Sequence, residues 1–462
     1  MIQELEILGL RGYSSNQKIT FSIPDGNEGS GLSVIVGANN AGKSTAIEAI
    51  RALTQRQPPS FTQGRRNKDA GDKVHIKMTN VEGQTFELSS ILPASSETEF
   101  LKSSDHLNTS GIIVLPSRRT FNPYFSRNEM GKEYYMDNII GFPAIRTSSI
   151  DQFGTRLFTA QKNREAFNEV LGKVLSPIPN WTIDQSDTGQ WFLKINTSNS
   201  SHSSEGLGEG LVSLFFIIDA LYDSEEGDTI VIDEPELSLH PSLQQKLSNL
   251  LADYSKNRQI IISTHSPYFI NLRALQNNAT IIRAYQSNEN SYLSQLTSST
   301  ANRIGGLLRN YNNPHIFGLK AQEVFFLEDH IILVEGQEDV LFYPKILNQI
   351  DIELSGMFFG WGVGGASNME IIASILHELE YQKVVGILDG DKKDMIAGLT
   401  MKFPEFHFFA IPSNDVRTKK ARDLPDIKGL LDDSNNLIRD EYKEETKNLF
   451  QNANKYLKGG AT

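Results

Sequence analysis

The run Gly37-Ala38-Asn39-Asn40-Ala41-Gly42-Lys43-Ser44 constrains this chain more than any other stretch. A short apolar run of buried-strand type, Leu32–Val36, precedes it, and a helical pattern from about Lys43 to Leu53 follows. A glycine, four residues, then Gly-Lys-Ser between a strand and a helix lets backbone N–H groups wrap phosphate oxygens at the positive end of the helix dipole. On this reading Gly37, Asn39, Asn40, Gly42 and Thr45 bind a nucleotide, Lys43 reaches its β/γ-phosphates, and the Ser44 hydroxyl holds Mg²⁺. Such a loop requires an α/β fold, and the rest of the chain agrees.

Apolar–polar alternation at Ile2, Leu5, Ile7, Leu10 and again at Ile19, Phe21, Ile23 predicts an antiparallel strand pair. Further strands are expected near Val74–Met78, Thr85–Leu92, Gly111–Pro116 and Trp191–Ile195, with a helix around Phe153–Leu175 and loops at 56–72 and Asn196–Ser204. From Gly206 helix and strand alternate: Leu211–Leu221, Thr229–Asp233, Ser242–Tyr254, Gln259–Ser263. That order predicts a sheet with parallel strands. A polar stretch rich in Ser and Asn at 286–301 marks a boundary region. Beyond it a smaller α/β unit is expected from Ile331–Val334, Asp339–Asn348, Met369–Leu379, Val384–Leu388 and Phe406–Ile411, closed by a charged C-terminal helix. The domain reading is therefore 1–290 with an insert of uncertain role at about 56–200, a connection over 291–327, and a second domain over 328–462.

Thr229–Asp233 is an apolar strand ending in Asp233-Glu234. Asp233 suits Mg²⁺ bound through water, and Glu234 can orient or deprotonate an attacking water. His265, just past the strand-like Ile260-Ile261-Ile262-Ser263, is spaced to contact a γ-phosphate. The second unit carries its own acids. Glu335 ends the first strand, Asp339 follows within the next helix, and Asp389-Gly390-Asp391 ends another strand. Parallel strands bring such ends to one sheet edge. Carboxylates gathered there without matching cations repel one another, and a divalent ion relieves that repulsion.

These motifs resemble the ABC-type ATPases, and within them the overcoming-lysogenization-defect (OLD) family. Asp233-Glu234-Pro235-Glu236-Leu237-Ser238-Leu239-His240-Pro241 looks like that branch's Walker B and D-loop, and Ser263–Pro267 like its switch-histidine segment. Ser204–Gly210, which includes Gly208, occupies the signature position but departs from Leu-Ser-Gly-Gly-Gln. Glu335, Asp339, Asp389, Asp391 and the glycine-rich turn Gly362–Asn368 resemble a Toprim domain, with Lys392 available to a phosphate transition state. Arg417 stands where a further acid is usual, leaving Asp415 as an extra ligand candidate. The resemblance implies an ABC-type ATPase head with a mixed sheet plus a smaller, Rossmann-like Toprim domain. It implies ATP and Mg²⁺ (or Mn²⁺) as cofactors, with Ser44, Asp233, Glu335, Asp339, Asp389 and Asp391 as metal ligands. It also implies DNA as substrate, pairing of ATPase heads into a dimer or larger oligomer, and a role in anti-phage defence with a possible accessory protein or nucleic acid.

Composition narrows the alternatives. With no cysteine, disulfides and thiolate sites are excluded. No apolar run reaches the roughly 18 residues of a membrane span, and no secretory signal pattern begins the chain, so a cytoplasmic protein is expected. A net charge of −12 leaves nucleic acid to local basic clusters: Arg65-Arg66-Asn67-Lys68, Arg118-Arg119 and Arg417–Arg422. Each could equally be a solvated loop. Two rival functions stay open, an ATP-driven sensor or scaffold, and a DNA-repair ATPase that recruits a separate nuclease.

Overall fold

The structure is a computed structural model and describes residues 1–101, 111–119, 127, 153–196, 201–203, 208–297, 299–301, 329–360, 362–419 and 427–459. They fall into two compact units, Met1–Gln295 and Leu296–Thr462.

In the first unit, β1 (Ile2–Leu8) and β2 (Gln17–Thr20) pair antiparallel, with Ile2, Leu5 and Ile7 inward and Gln3 outward. β3 (Leu32–Val36) leads through the glycine loop into α1 (Lys43–Leu53). β4 (His75–Asn80), β5 (Thr85–Ser90) and β6 (Thr98–Leu101) complete an antiparallel sheet in the order β2-β1-β4-β5-β6. After β7 (Ile112–Leu115) come the helices α2 (Phe153–Lys162) and α3 (Arg164–Gly172). A three-stranded sheet follows from β8 (Asn180–Gln185), β9 (Trp191–Asn196) and β10 (Ser201–Ser203). Then α4 (Glu209–Tyr222), β11 (Thr229–Asp233), α5 (Pro241–Tyr254), β12 (Gln259–Thr264), α6 (Leu272–Gln276) and the hairpin β13 (Thr280–Ser287) and β14 (Asn290–Gln295) close the unit.

The second sheet runs β14-β13-β3-β12-β11-β7 and is mixed, parallel from β13 to β7 with β14 antiparallel at its edge. Every residue of β3, β11 and β12 is buried, which explains why apolar residues stand consecutively along them: both faces are covered. α1 lies between the two large sheets. Its Ala46, Ala49, Ile50 and Leu53 share one core with Leu5, Ile7 and Ile76 on one side and Ile35, Val231 and Ile261 on the other.

The second unit is a four-stranded parallel sheet in the order β16-β15-β17-β18, from β15 (Ile331–Val334), β16 (Met357–Phe358), β17 (Val384–Leu388) and β18 (His407–Ala410). α7 (Gln337–Gln349) and α10 (Asp440–Leu457) cover the face bearing Ile332, Val334, Val385 and Ile387. α8 (Ala366–Glu378) and α9 (Met395–Lys402) complete it.

Three expectations differ from the structure. The single helix over Phe153–Leu175 is two, interrupted at Asn163, whose φ of −116° and ψ of 43° leave the helical region. The loop Asn196–Ser204 contains β10, because Ser201–Ser203 find a backbone ladder on β9 despite weak strand propensity. The polar stretch from 286 contains β14, whose polar residues suit an edge strand and include buried Ser291. The segments 120–126, 128–152 and most of the 291–327 connection lie outside the described residues.

Candidate functional site

Four strand ends converge on the glycine loop. β12 lies between β3 and β11 in register, Ser263 beside Asp233 on one side and Thr264 beside Val36 on the other. Asp233 Oδ1 accepts from Ser44 Oγ at 3.0 Å and from Ser263 Oγ. Lys43 is 4% exposed, and its Nζ donates to the carbonyls of Gly37 and Ala38, each at 3.0 Å. It also lies 2.8 Å from His265 Nε2. Burial pulls the Lys43 ammonium down to about 8 against the pull of Glu234, Asp233 and Glu236. The same His265 nitrogen is 3.4 Å from Glu234 Oε1. Gly37, Asn40 and Gly42 have φ values of 148°, 62° and 113°, the conformations that turn successive amides toward one concavity. Beneath the loop, buried Tyr13 donates its hydroxyl to Gly42 O at 3.0 Å, and Gln286 Nε2 donates to Asn40 O at 3.0 Å. Thr45 is buried at the start of α1, and Asn39 is exposed.

The structure thus brings Lys43, Ser44, Asp233, Glu234 and His265 into one hydrogen-bonded group. Gly208 stands at the N-cap of α4, its carbonyl accepting from Leu211 N at 3.0 Å. Gly210, two residues on, packs so tightly that an added Cβ would meet Ser238 O at 2.1 Å. Ser204–Leu207 lie outside the described residues.

Two side groups went unread in the sequence. Glu236 Oε1 accepts the backbone N–H of His265 at 2.5 Å, while its buried Oε2 has no partner and burial raises its pKa. Arg119, grouped above among possible nucleic-acid contacts, is 2% exposed and directed inward. It donates to Asp233 O at 2.7 Å, Glu234 O at 2.8 Å, Pro116 O at 2.8 Å and Ser213 Oγ at 2.8 Å. Arg66 is likewise structural, bonded to Asp72, Phe61 O and Ala94 O. A run of arginines in sequence does not distinguish a clamp from a free cation. The strand end beside Arg119 was the available signal.

In the second unit, Glu335 follows β15 and Asp389 follows β17, adjacent strands paired through Val334 and Ile387. Asp389 N donates to Glu335 Oε1 at 2.8 Å. Gly362, at φ 90°, lies so close to Gly336 that an added Cβ would come within 2.6 Å of its Cα, which holds the glycine turn against the Glu335 corner. Burial, then the charges of Asp339, Glu335, Asp415 and Asp391, push the Asp389 carboxyl up to about 8. Burial, opposed by a hydrogen bond from Gly336 N at 2.9 Å, leaves Asp339 at about 7. Burial raises Glu335 as well.

Among the described residues no three carboxylate or imidazole groups stand in a geometry that would hold a metal ion. The reason is local. Glu335 and Asp339 are turned onto backbone N–H groups, Asp415 onto Lys419, and Asp391 onto Lys392 at 2.6 Å. Among these acids, Asp389 Oδ1 is buried without a partner. An orphaned carboxylate oxygen among mutually repelling hard-oxygen donors fits a divalent cation. Arg417 bonds Glu338 at 2.6 Å, and 420–426 lie outside the described residues.

Fold and sites together define a nucleotide-type P-loop ATPase unit joined to a second, acid-edged α/β unit. Family models agree: an AAA ATPase domain over residues 1–142, an AAA domain (putative AbiEii toxin, Type IV TA system) over 84–271, and an OLD-like Toprim domain over 326–391. The chain thus resembles the OLD-like proteins in joining an ATPase-type domain to an OLD-like Toprim domain. It is 28% identical to the Septu protein PtuA of Bacillus thuringiensis over 64% of this chain and 79% of that protein. It is 27% identical to the endonuclease GajA of Bacillus cereus over 36% of this chain, and 24% identical to the OLD nuclease of Thermus scotoductus over 42%. These two matches span only 28% and 37% of those relatives. An Smc head domain derived from Pyrococcus furiosus aligns with 67% of this chain and 99% of its own at 13% identity and a TM-score of 0.42. Domains of these two kinds use a nucleotide and a divalent metal. Among the described residues no helix is long and apolar enough to cross a membrane.

Proposed function

We propose that this protein is an ATP-binding and ATP-hydrolysing endonuclease that cuts DNA at the Toprim unit, gated by its ATPase, in anti-phage defence. The observation that carries the nuclease half is Asp389. Its Oδ1 is buried without a partner, and its charge is opposed by Glu335, Asp339, Asp391 and Asp415. Glu335, Asp339, Asp389 and Asp391 would hold Mg²⁺ or Mn²⁺. A bound ion of this kind activates water and stabilises the leaving oxygen of a phosphodiester. Lys392, paired with Asp391, would exchange that partner for a substrate phosphate.

In the ATPase unit, Lys43 would exchange the carbonyls of Gly37 and Ala38 for the β/γ-phosphates, while Ser44 and Asp233 would hold the nucleotide's Mg²⁺. Glu234 orients the attacking water, and His265, whose Nε2 lies near both Lys43 and Glu234, reports the γ-phosphate. Gly208 belongs to the segment that would complete the ATP site of a partner head, so the working form is a dimer or larger.

The test is cleavage of supercoiled plasmid with Mg²⁺ or Mn²⁺, with and without ATP, by wild type, Lys43→Ala and Asp389→Ala. Cutting that needs Asp389 and responds to Lys43 supports the reading. Cutting that survives Asp389→Ala sinks it. The engagement of Glu335, Asp339 and Asp415 by their own donors favours a second reading, an ATP-driven scaffold. That reading expects metal binding without cleavage.

A further inference from the structure

The turn after β11 is braced on its amide side by Ser263, and on its carbonyl side by a single buried arginine. Glu234 has φ of 51°, a left-handed conformation that a residue with a Cβ resists. A strained turn of this kind keeps its shape only where its surroundings fix it, and the direction of the Glu234 carboxylate depends on that shape. Two backbone oxygens flank the strained residue, those of Asp233 and Glu234. Both point into the protein, and both accept from the Arg119 guanidinium, Nη1 at 2.7 Å and Nη2 at 2.8 Å. A planar fork spanning consecutive carbonyls fixes the peptide plane between them.

The other guanidinium contacts anchor that fork. Nη1 also donates to Pro116 O, just past β7, and Nε donates to Ser213 Oγ, on the second turn of α4. Arg119 therefore joins three elements: the edge strand, the acid-bearing strand, and the helix that begins at Gly208 and Glu209. At 2% exposure it is closed to solvent and to a bulky ligand. A cation kept in such a place needs compensation, and here it comes from carbonyl dipoles and the nearby charges of Asp233, Glu236 and Glu234.

We propose that Arg119 is a positioning residue for ATP hydrolysis, holding the Asp233–Glu234 turn so that the Glu234 carboxylate faces the attacking water. It rests on the ATPase reading above. Lys43 and the glycine loop, which bind phosphate, make no hydrogen bond to Arg119, so turnover should depend on it while nucleotide affinity does not. An arginine that merely kept the unit folded would move stability alone.

The experiment compares full-length wild type, Arg119→Lys and Arg119→Met, with Glu234→Gln and Lys43→Ala as controls. Affinity for a fluorescent ATP analogue and steady-state ATP turnover are measured on protein shown to be folded by circular dichroism. Methionine keeps most of the length and donates nothing, and lysine restores a single donor group. The expected result is a turnover loss of about 10- to 100-fold in Arg119→Met, partial recovery in Arg119→Lys, and affinity within about threefold of wild type in both. Wild-type turnover in folded Arg119→Met, or a loss carried by affinity instead, overturns the proposal. If Arg119→Met does not fold, Arg119→Lys decides by the same two criteria. Wild type that hydrolyses ATP no faster than Lys43→Ala overturns the ATPase reading itself, and a Glu234-dependent wild type with an indifferent Arg119 overturns only this inference.

Discussion

Lys43 Nζ lies 2.8 Å from His265 Nε2, so the lysine of the phosphate loop and the histidine past β12 share a contact that nucleotide must divide. On the proposed ATPase reading, phosphate oxygens would draw the ammonium away from the two carbonyls and the ring it now touches. Lys43→Ala is expected to lose ATP binding and turnover together. His265→Ala is expected to keep ATP affinity within about threefold and to lose about 10- to 1,000-fold in turnover, since its neighbour Glu234 is the residue proposed to orient the attacking water. Equal losses of affinity in both variants would remove His265 from the hydrolytic step.

Ser263 offers a subtler test. Its hydroxyl donates to the same Asp233 oxygen that accepts from the Ser44 hydroxyl, so it orients that carboxylate. Ser263→Ala is expected to weaken Mg²⁺-dependent ATP binding by about 10- to 100-fold, with ATP binding in EDTA unchanged. Isothermal titration in the two buffers separates these outcomes, and an equal loss in both would show a general packing defect.

The acids of the Toprim unit give a pH dependence of fixed sign. Asp389 and Asp339 are raised to about 8 and about 7, above the ordinary carboxylate value of 3.8. Between those values the folded state binds protons that the unfolded state does not, so stability falls as pH rises. In EDTA, thermal stability of wild type should therefore increase from about pH 9 down to about pH 6.5. Asp389→Asn should melt higher than wild type at the upper end. Mn²⁺ should stabilise wild type and leave the variant unmoved. A flat wild-type profile in EDTA would show that the repulsion is relieved some other way.

Arg66 separates structural arginines from binding ones. It ties the 56–72 loop together through Asp72, Phe61 O and Ala94 O, whereas Lys68 nearby is exposed. Arg66→Ala is expected to destabilise by about 2–4 kcal/mol in chemical denaturation. The salt dependence of DNA binding by the folded fraction should not change. A lowered salt slope would instead count Arg66 among the phosphate contacts.

Much of this architecture could be read from residue order. Apolar runs ending in Ser, Asp or Glu announced β11, β12, β15 and β17, and a mostly apolar run ending at Gly37 announced β3, because parallel strands covered on both faces have no alternation to obscure them. What escaped the reading depends on partners distant in the chain. β14 and β10 are polar strands whose pairing comes from a neighbour, not from their own propensity. Arg119 looks like Arg118 beside it until β7 is laid against β11. The turning of Glu335 and Asp339 onto backbone amides has no signature in sequence, since any strand-end acid could face either way.

The order of strands also bears on how the protein is made. β3 carries the phosphate loop, yet its two neighbours in the sheet are β12 and β13, which are synthesised much later. While a ribosome is still extending the chain through residue 228, the loop has been made but has no strand on either side of it, and the carboxylate that will face Ser44 does not exist. Long-range pairing of this kind closes slowly and only once. Nascent chains that stop short of β12 should therefore hold no nucleotide. Competence for ATP would arrive as a single late event, after most of the first unit has left the exit tunnel.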